Sequence, residues 1–399
     1  MCAVHVACLP TSTVLAPFGE APALLPLLGG TIAEAQAAAL ARSGVASAPG
    51  AGTFVYGADT WFTATLVERL VALGKPCRLR VTHPEWLGLV SPLGRDPERP
   101  TIGVVPEGAP AEALFDQPEV EIDGGFEPMK PAFAHPALAH AADMPLVSGV
   151  AVAHDVEHWA HLVRLNGIAL AALARERVRE FNQLPWYRKL WAGLSVLWRA
   201  GGTGEAALAR AISRVGKGAK IHPTAVVELC ELGAGVVVGP GAVLRGVVAG
   251  DGAQFEAMAH VTASSIGPRA TVGRQAHVAL CVLAEGAYVS SGVGHQATLF
   301  GRDSFVALGV CTFDLSFGKP ISVDTPAGRQ SAGTHFLGSA VGHRAKLGAG
   351  VRLGYGVAVP NDTLIVAPSA DVLRRWAEVS GPVVTVVDGV AVPLPTARR

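Results

Sequence analysis

His260 and His277 lie 17 residues apart, and His295 follows 18 further on. Imidazole can ligate a metal or move a proton near physiological pH, so these histidines are candidates for chemistry. A polar ladder stacked on one outer corner of a repeating fold is the plainer reading of the same spacing. Arg302 and Arg329 flank a stretch of irregular sequence. Guanidinium groups there would suit a substrate phosphate, and solvated surface arginines fit the pattern equally well. Nearer the N-terminus, Asp59-Thr60 precedes an apolar segment ending at Leu73. That predicts a helix capped by Asp59 or Thr60.

These groups need a frame, and the spacing supplies one. Steps of 17 from Leu232 reach Ala249, Ile266, Leu283, Phe300 and Phe317. A second column is Ile221, Val238, Phe255, Val272, Val289, Val306, and a third is Val227, Leu244, Val261, Val278, His295. Each coil therefore has three flat faces with one inward side chain per face. Such coils cannot bury those side chains alone, so they stack, and their strands pair in parallel. His295 falls in the inward column, where a buried imidazole needs a hydrogen bond or a local register shift. The repeat runs from about Ile221 to Asn361. It fails between about Leu308 and His335, which predicts an extruded loop. It resumes at Val341, Leu347, Leu353 and Val359.

The front of the chain reads as strand Ala3–Leu9, helix Thr31–Ser43 and strand Thr53–Tyr56, an α/β pattern. Residues 82–147 are Pro-rich and weakly periodic. Residues Asp155 to about Ala200 read as helical, with Trp186, Trp191 and Trp198 set among Arg188, Lys189 and Arg199. Two readings apply: an interfacial membrane helix, or, as the ordinary case, aromatics packed against a neighbouring domain. A short helix is expected at Ser369–Val379. A hairpin turning at Asp388-Gly389 should follow and cover an end of the stack.

Lys+Arg equals Asp+Glu at 32 each, which argues against nucleic acid as a partner. The six cysteines form no CxxC pair and no Cys/His metal spacing, so free thiols are expected. The N-terminus lacks a basic, signal-like region, and no apolar run reaches a membrane-spanning length, so a cytoplasmic protein is expected.

IHPTAVVE followed by LGAGVVVGPGAVLRG resembles the start of the left-handed β-helix in sugar-phosphate nucleotidyltransferases that carry a hexapeptide-repeat acyltransferase domain. LLPLLGGTIAEAQAAALARSGV (24–45) resembles the stretch after their nucleotide-binding loop. The resemblance implies an α/β nucleotidyltransferase-like (Rossmann-like) N-terminal domain (1–150), a helical linker (151–218), a left-handed parallel β-helix (219–366) and a C-terminal helix and hairpin (367–399). The front loop departs from the family: PTSTVLAPFGEAPALLPL (10–27) has no GxGxR, and Ala23 replaces the Lys. Such a site lacks the cations that stabilise phosphate transfer, which implies an inactive nucleotidyltransferase half.

Asp59 stands where the family places a metal-binding Asp, so Mg2+ is expected only if this half works. GTHFLGSAVGHRAKLGAG (333–350) resembles the stretch bearing the family's catalytic base, and His335 lies near that position. Tyr355 and Asn361 follow where the family has an Asn-Tyr-Asp-Gly motif, which is absent here. The implied activity is acyl transfer from acyl-CoA (acetyl-CoA) to a sugar phosphate or nucleotide sugar, in a homotrimer with sites between subunits. The alternative is a non-catalytic sugar-nucleotide-binding scaffold or sensor. More remotely, the three histidines resemble those of the γ-class carbonic anhydrases, which hold zinc between subunits.

Overall fold

The computed structural model describes residues 4–47, 52–128, 147–191, 194, 209, 211–292, 294–367, 384–388 and 390–393. The N-terminal domain is a mixed, Rossmann-like α/β unit. Its sheet runs in the order His5–Leu9, Thr53–Gly57, Ile102–Val105, Cys77–Arg80, Glu119–Glu121. Only Ile102–Val105 runs antiparallel to its neighbours. The carboxyl ends of the parallel strands and the start of Ile102–Val105 therefore share one edge, where open α/β sheets bind ligands.

Helix α1 (Ile32–Ser43) shows how local sequence sets this domain. Thr31 accepts from the backbone of Glu34, and Glu34 reaches back to Thr31, closing a capping box. Gly44 ends the helix in the left-handed conformation, φ 64°. The helix expected from Asp59 starts later. Thr60–Phe62 is a strand paired with Ala153–Asp155, and α2 is Ala64–Ala72 with Thr63 before its first turn. Pairing with a distant strand holds Thr60 extended and leaves Asp59 in the turn before it, so neither caps the helix. Within the weakly periodic region stand α3 (Pro84–Val90) and the strands Ile102–Val105 and Glu119–Glu121.

Helix α4 (Trp159–Gln183) bridges the two halves and ends just before Pro185, which disfavours helix at the residue before it. Its buried Asn166 donates to the Ala263 carbonyl at 3.0 Å and accepts from the Ser265 hydroxyl at 2.7 Å. Residues 186–191 are again helical. The packing expected for the aromatics does not occur there: Trp186 is 76% exposed and Trp191 71%. Trp198 and the expected helix Ser369–Val379 lie outside the described residues.

The second half is a left-handed parallel β-helix. Among the described residues, two of its faces hold eight stacked strands each. The third holds five, followed by the pair Cys311–Thr312 and Arg352–Leu353. The first strand, Arg214–Val215, pairs with Glu231–Leu232. Most strands are two residues long, one side chain out and the next in. Leu244, Val261, Val272, Val278, Leu283 and Val289 are completely buried. Each such side chain contributes about 1.5–3 kcal/mol by leaving water. One corner recurs every 17 residues with positive φ, at Leu229, Gly246, Ala263, Leu280 and Ala297.

His295 keeps the register, opposite Val278, so no shift occurs. It is 1% exposed, and Thr312 lies 3.2 Å from its Nδ1. The break in the repeat begins a few residues later than predicted and resumes as predicted. Val306 is buried, Cys311–Thr312 still pairs, and the coil returns at Ala340–Val341. Phe317 is not an inward residue but is 74% exposed. Val341 takes the place over Phe300 instead, because the intervening arm leaves the stack. The arm carries the hairpin Ser322–Thr325/Gly328–Ser331. Ile321, Val323, Ala332 and Leu337 tuck it into the same core as α4 and the N-terminal domain. The C-terminal hairpin, Val384–Val387 with Val390–Pro393, forms as expected.

Candidate functional site

Two places concentrate chemistry. The first is a cleft of about 230 Å³ at the carboxyl edge of the N-terminal sheet, lined by Asp59, Arg95, Arg99, Thr101, His154 and Asp155 among others. Asp59 sits in the turn after Thr53–Gly57. Buried Gln36 of α1 holds that turn, its Nε2 lying 3.2 Å from the Gly57 carbonyl, 3.3 Å from that of Ala58 and 2.7 Å from that of Thr60. Thr11 donates to Asp59 at 2.7 Å.

Asp155 ends the strand Ala153–Asp155. It accepts from the Thr60 hydroxyl at 2.6 Å and from the backbone and hydroxyl of Thr101 at 3.1 and 3.0 Å. Desolvation pushes its carboxyl up to about 6, the charge of Asp59 adds to this, and the threonine hydrogen bonds oppose it. Arg95 is gripped by Glu157 through its backbone N–H and its Nε, both at 2.6 Å, and also donates to Thr13.

The cleft thus has cations that the front loop lacks, but Arg95 and Arg99 are already matched by Glu157 and Glu119. Asp59 and Asp155 are the residues that would hold a divalent ion. Mg2+ needs only one or two carboxylates when water and phosphate complete its shell, so this pair suits it. Among the described residues no group of three or more His, Cys, Asp or Glu converges as a metal site. His260 and His277 stack on the outer surface with ring centroids 4.9 Å apart. His295 turns inward, away from them, so the three histidines of the zinc reading do not meet within one chain.

The second place is the root of the arm. Ser316 donates its N–H to the His335 carbonyl at 2.8 Å, and the Ser316 carbonyl lies 3.2 Å from His335 Nδ1. An Nδ1–H donated to that carbonyl places the imidazole lone pair on Nε2. His335 is half-buried. Tyr355 is 41% exposed beside Gly356, whose N–H donates to Gly338 at 2.7 Å. Arg329 stands on the exposed strand of the hairpin and donates to the Ser322 carbonyl at 2.9 Å.

Arg302 and Asn361 come together elsewhere, on the front loop. Arg302 is bound by Glu20 through both terminal nitrogens. Asn361 donates to the Phe18 carbonyl at 2.7 Å and accepts from the His343 N–H at 2.7 Å. His343 accepts from the Arg302 N–H at Nδ1, 2.8 Å, and lies 3.0 Å from Glu20 through Nε2. The loop that binds nucleotide in the resembling family is here bonded to the β-helix. Glu20, Gln36, Asp155 and His343 were not singled out in the sequence. Each acts through partners too distant in sequence for spacing to reveal.

A Rossmann-like domain on a hexapeptide-type β-helix is consistent with a transferase architecture of the nucleotidyltransferase and acyltransferase kind in general. No protein-family model and no curated protein sequence matches the chain. Among the described residues, no helix is long and apolar enough to cross a membrane.

Proposed function

We propose that the chain transfers an acyl group from acyl-CoA to an amine or hydroxyl of a phosphorylated or nucleotide-linked sugar. The observation that carries this is His335, fixed at the arm root with the Ser316 carbonyl at Nδ1. In the step, the acceptor N–H or O–H gives its proton to His335 Nε2 as its heteroatom attacks the thioester carbonyl. The tetrahedral oxyanion collapses, the C–S bond breaks, and the leaving thiolate takes the proton back from His335. Arg329, held only loosely by Asp324 at 3.8 Å on the exposed hairpin, supplies a cation for the acceptor phosphate. Resemblance to β-helix acyltransferases favours a homotrimer. Commitment of the front loop to Arg302, His343 and Asn361 supports a silent nucleotidyltransferase half.

A second reading rests on the Asp59–Asp155 cleft: binding of a nucleotide sugar with Mg2+, without turnover. Thermal shifts of the full chain against acetyl-CoA, UTP and UDP-sugars with Mg2+ separate the two readings. Stabilisation by acetyl-CoA is the expected result. Stabilisation by nucleotides alone would replace the first reading with the second, and no shift with any of them would overturn both.

A further inference from the structure

Beyond α4 the chain presents an apolar surface that nothing in the described fold covers. Trp186, Tyr187, Leu190, Trp191 and Leu194 are 76%, 47%, 54%, 71% and 49% exposed. At 3.6 residues per turn Trp186, Tyr187, Leu190 and Trp191 fall within an arc of about 140° on one helix face. Arg188 and Lys189 fall outside that arc. Val178 and Phe181, on the last turns of α4, are exposed as well.

The charge along this stretch of sequence has one sign. No Asp or Glu occurs from Phe181 to Gly204 in a chain whose acids and bases otherwise balance. Glu180, just before that stretch, is already matched by Arg177 and Arg214. Indole and phenol rings favour the headgroup boundary of a bilayer, where one end is apolar and the other wet. Neighbouring Arg and Lys reach lipid phosphates. A second copy of this chain would bring like charges together across the same face, whereas an anionic bilayer complements them.

We propose that the helix at residues 186–191 binds the membrane interface, docking the protein on anionic lipid while the β-helix stays in water. The test is co-sedimentation of the full chain with vesicles of phosphatidylcholine, with and without about one third phosphatidylglycerol. Sedimentation velocity in parallel reports the oligomeric state. The wild type should bind the anionic vesicles and release at high salt. Arg188→Glu/Lys189→Glu should weaken binding by roughly twenty-fold or more, from about fivefold per neutralised charge. Trp186→Ala/Trp191→Ala should weaken it by roughly tenfold or more, with the oligomeric state unchanged. Trp191→Ser alone, should the double variant melt early, should give a smaller loss in the same direction. Three results would each overturn the proposal: no wild-type binding to anionic vesicles, binding indifferent to both variant pairs, or a Trp variant that only changes the assembly.

Discussion

Glu20 and His343, from opposite halves of the chain, meet at 3.0 Å. The same carboxylate binds Arg302, and His343 is 2% exposed. The neutral imidazole is satisfied on both nitrogens, accepting from Arg302 N–H at Nδ1 and donating to Glu20 from Nε2. Removing the carboxylate leaves a guanidinium and a buried N–H without their partner. Glu20→Ala should cost about 2 kcal/mol and speed amide exchange across residues 10–27. Hydrogen exchange read by mass spectrometry checks this. Exchange as slow as in the wild type would mean the loop is held by other contacts.

The neutral state recurs in the buried histidines at the domain junction. His158 accepts from Ala160 N–H and its Nε2 lies 3.2 Å from the Asp324 carbonyl. His161 accepts from Glu157 N–H and its Nε2 lies 2.9 Å from the Pro92 carbonyl. Burial holds His154 down to about 3 and His295 to about 4, and lowers His158, His161 and His343 as well. The unfolded chain takes up these protons near pH 6.5 and the folded chain only at lower pH. Stability is therefore fully present above about pH 6.5 and is lost as pH falls towards 4 and 3. His154 and His295 should each contribute a loss of about 3 kcal/mol by pH 4. Asp155, raised to about 6, works in the opposite sense and offsets part of it. Urea midpoints that stay flat between pH 7 and 4 would contradict this.

Gln36 holds the turn that presents Asp59. Gln36→Leu keeps the apolar contacts of α1 but leaves the carbonyls of Gly57, Ala58 and Thr60 without that donor. It should cost about 2 kcal/mol in chemical denaturation. The loss should come with faster exchange at residues 57–61. A variant as stable as the wild type would show that the turn holds itself.

Gly29 has φ 78°, and a Cβ there would sit 3.0 Å from the Gly250 backbone nitrogen of the β-helix. Gly29→Ala should destabilise by about 1–3 kcal/mol, through backbone strain and a clash between two main chains. Thermal unfolding is the check, and an unshifted midpoint would mean that the domains part freely at this seam.

Much of this was legible in the sequence, for physical reasons. A stacked coil repeats its inward contact at a fixed interval, so Leu244, Val261 and Val278 announced their shared face. The helix expected at Thr31–Ser43 forms from Ile32, and its capping box of Thr31 and Glu34 is a local device that the sequence carried unread. Phe317 continued the count but not the fold. Periodicity cannot show where an arm leaves the stack to pack on another domain. The cleft was half legible: Asp59 stood out by resemblance, whereas Asp155 reaches it only through strand pairing across 95 residues with Thr60. Arg302 stood out as a cation, but its partner Glu20 lies 282 residues away, and no spacing rule connects them. The exposed face of Trp186 and Trp191 was visible as a pattern, and only the packing around it showed that nothing in the described fold covers it.

The central claim is that the arm root works on a thioester. Thiol release from acetyl-CoA, with amino-sugar phosphates and nucleotide sugars as acceptors, tests it most directly when wild type and His335→Gln are compared. Acceptor-dependent release that falls by roughly a hundredfold or more in the variant, with unchanged melting, is the predicted result. Release as fast in His335→Gln as in the wild type would contradict it.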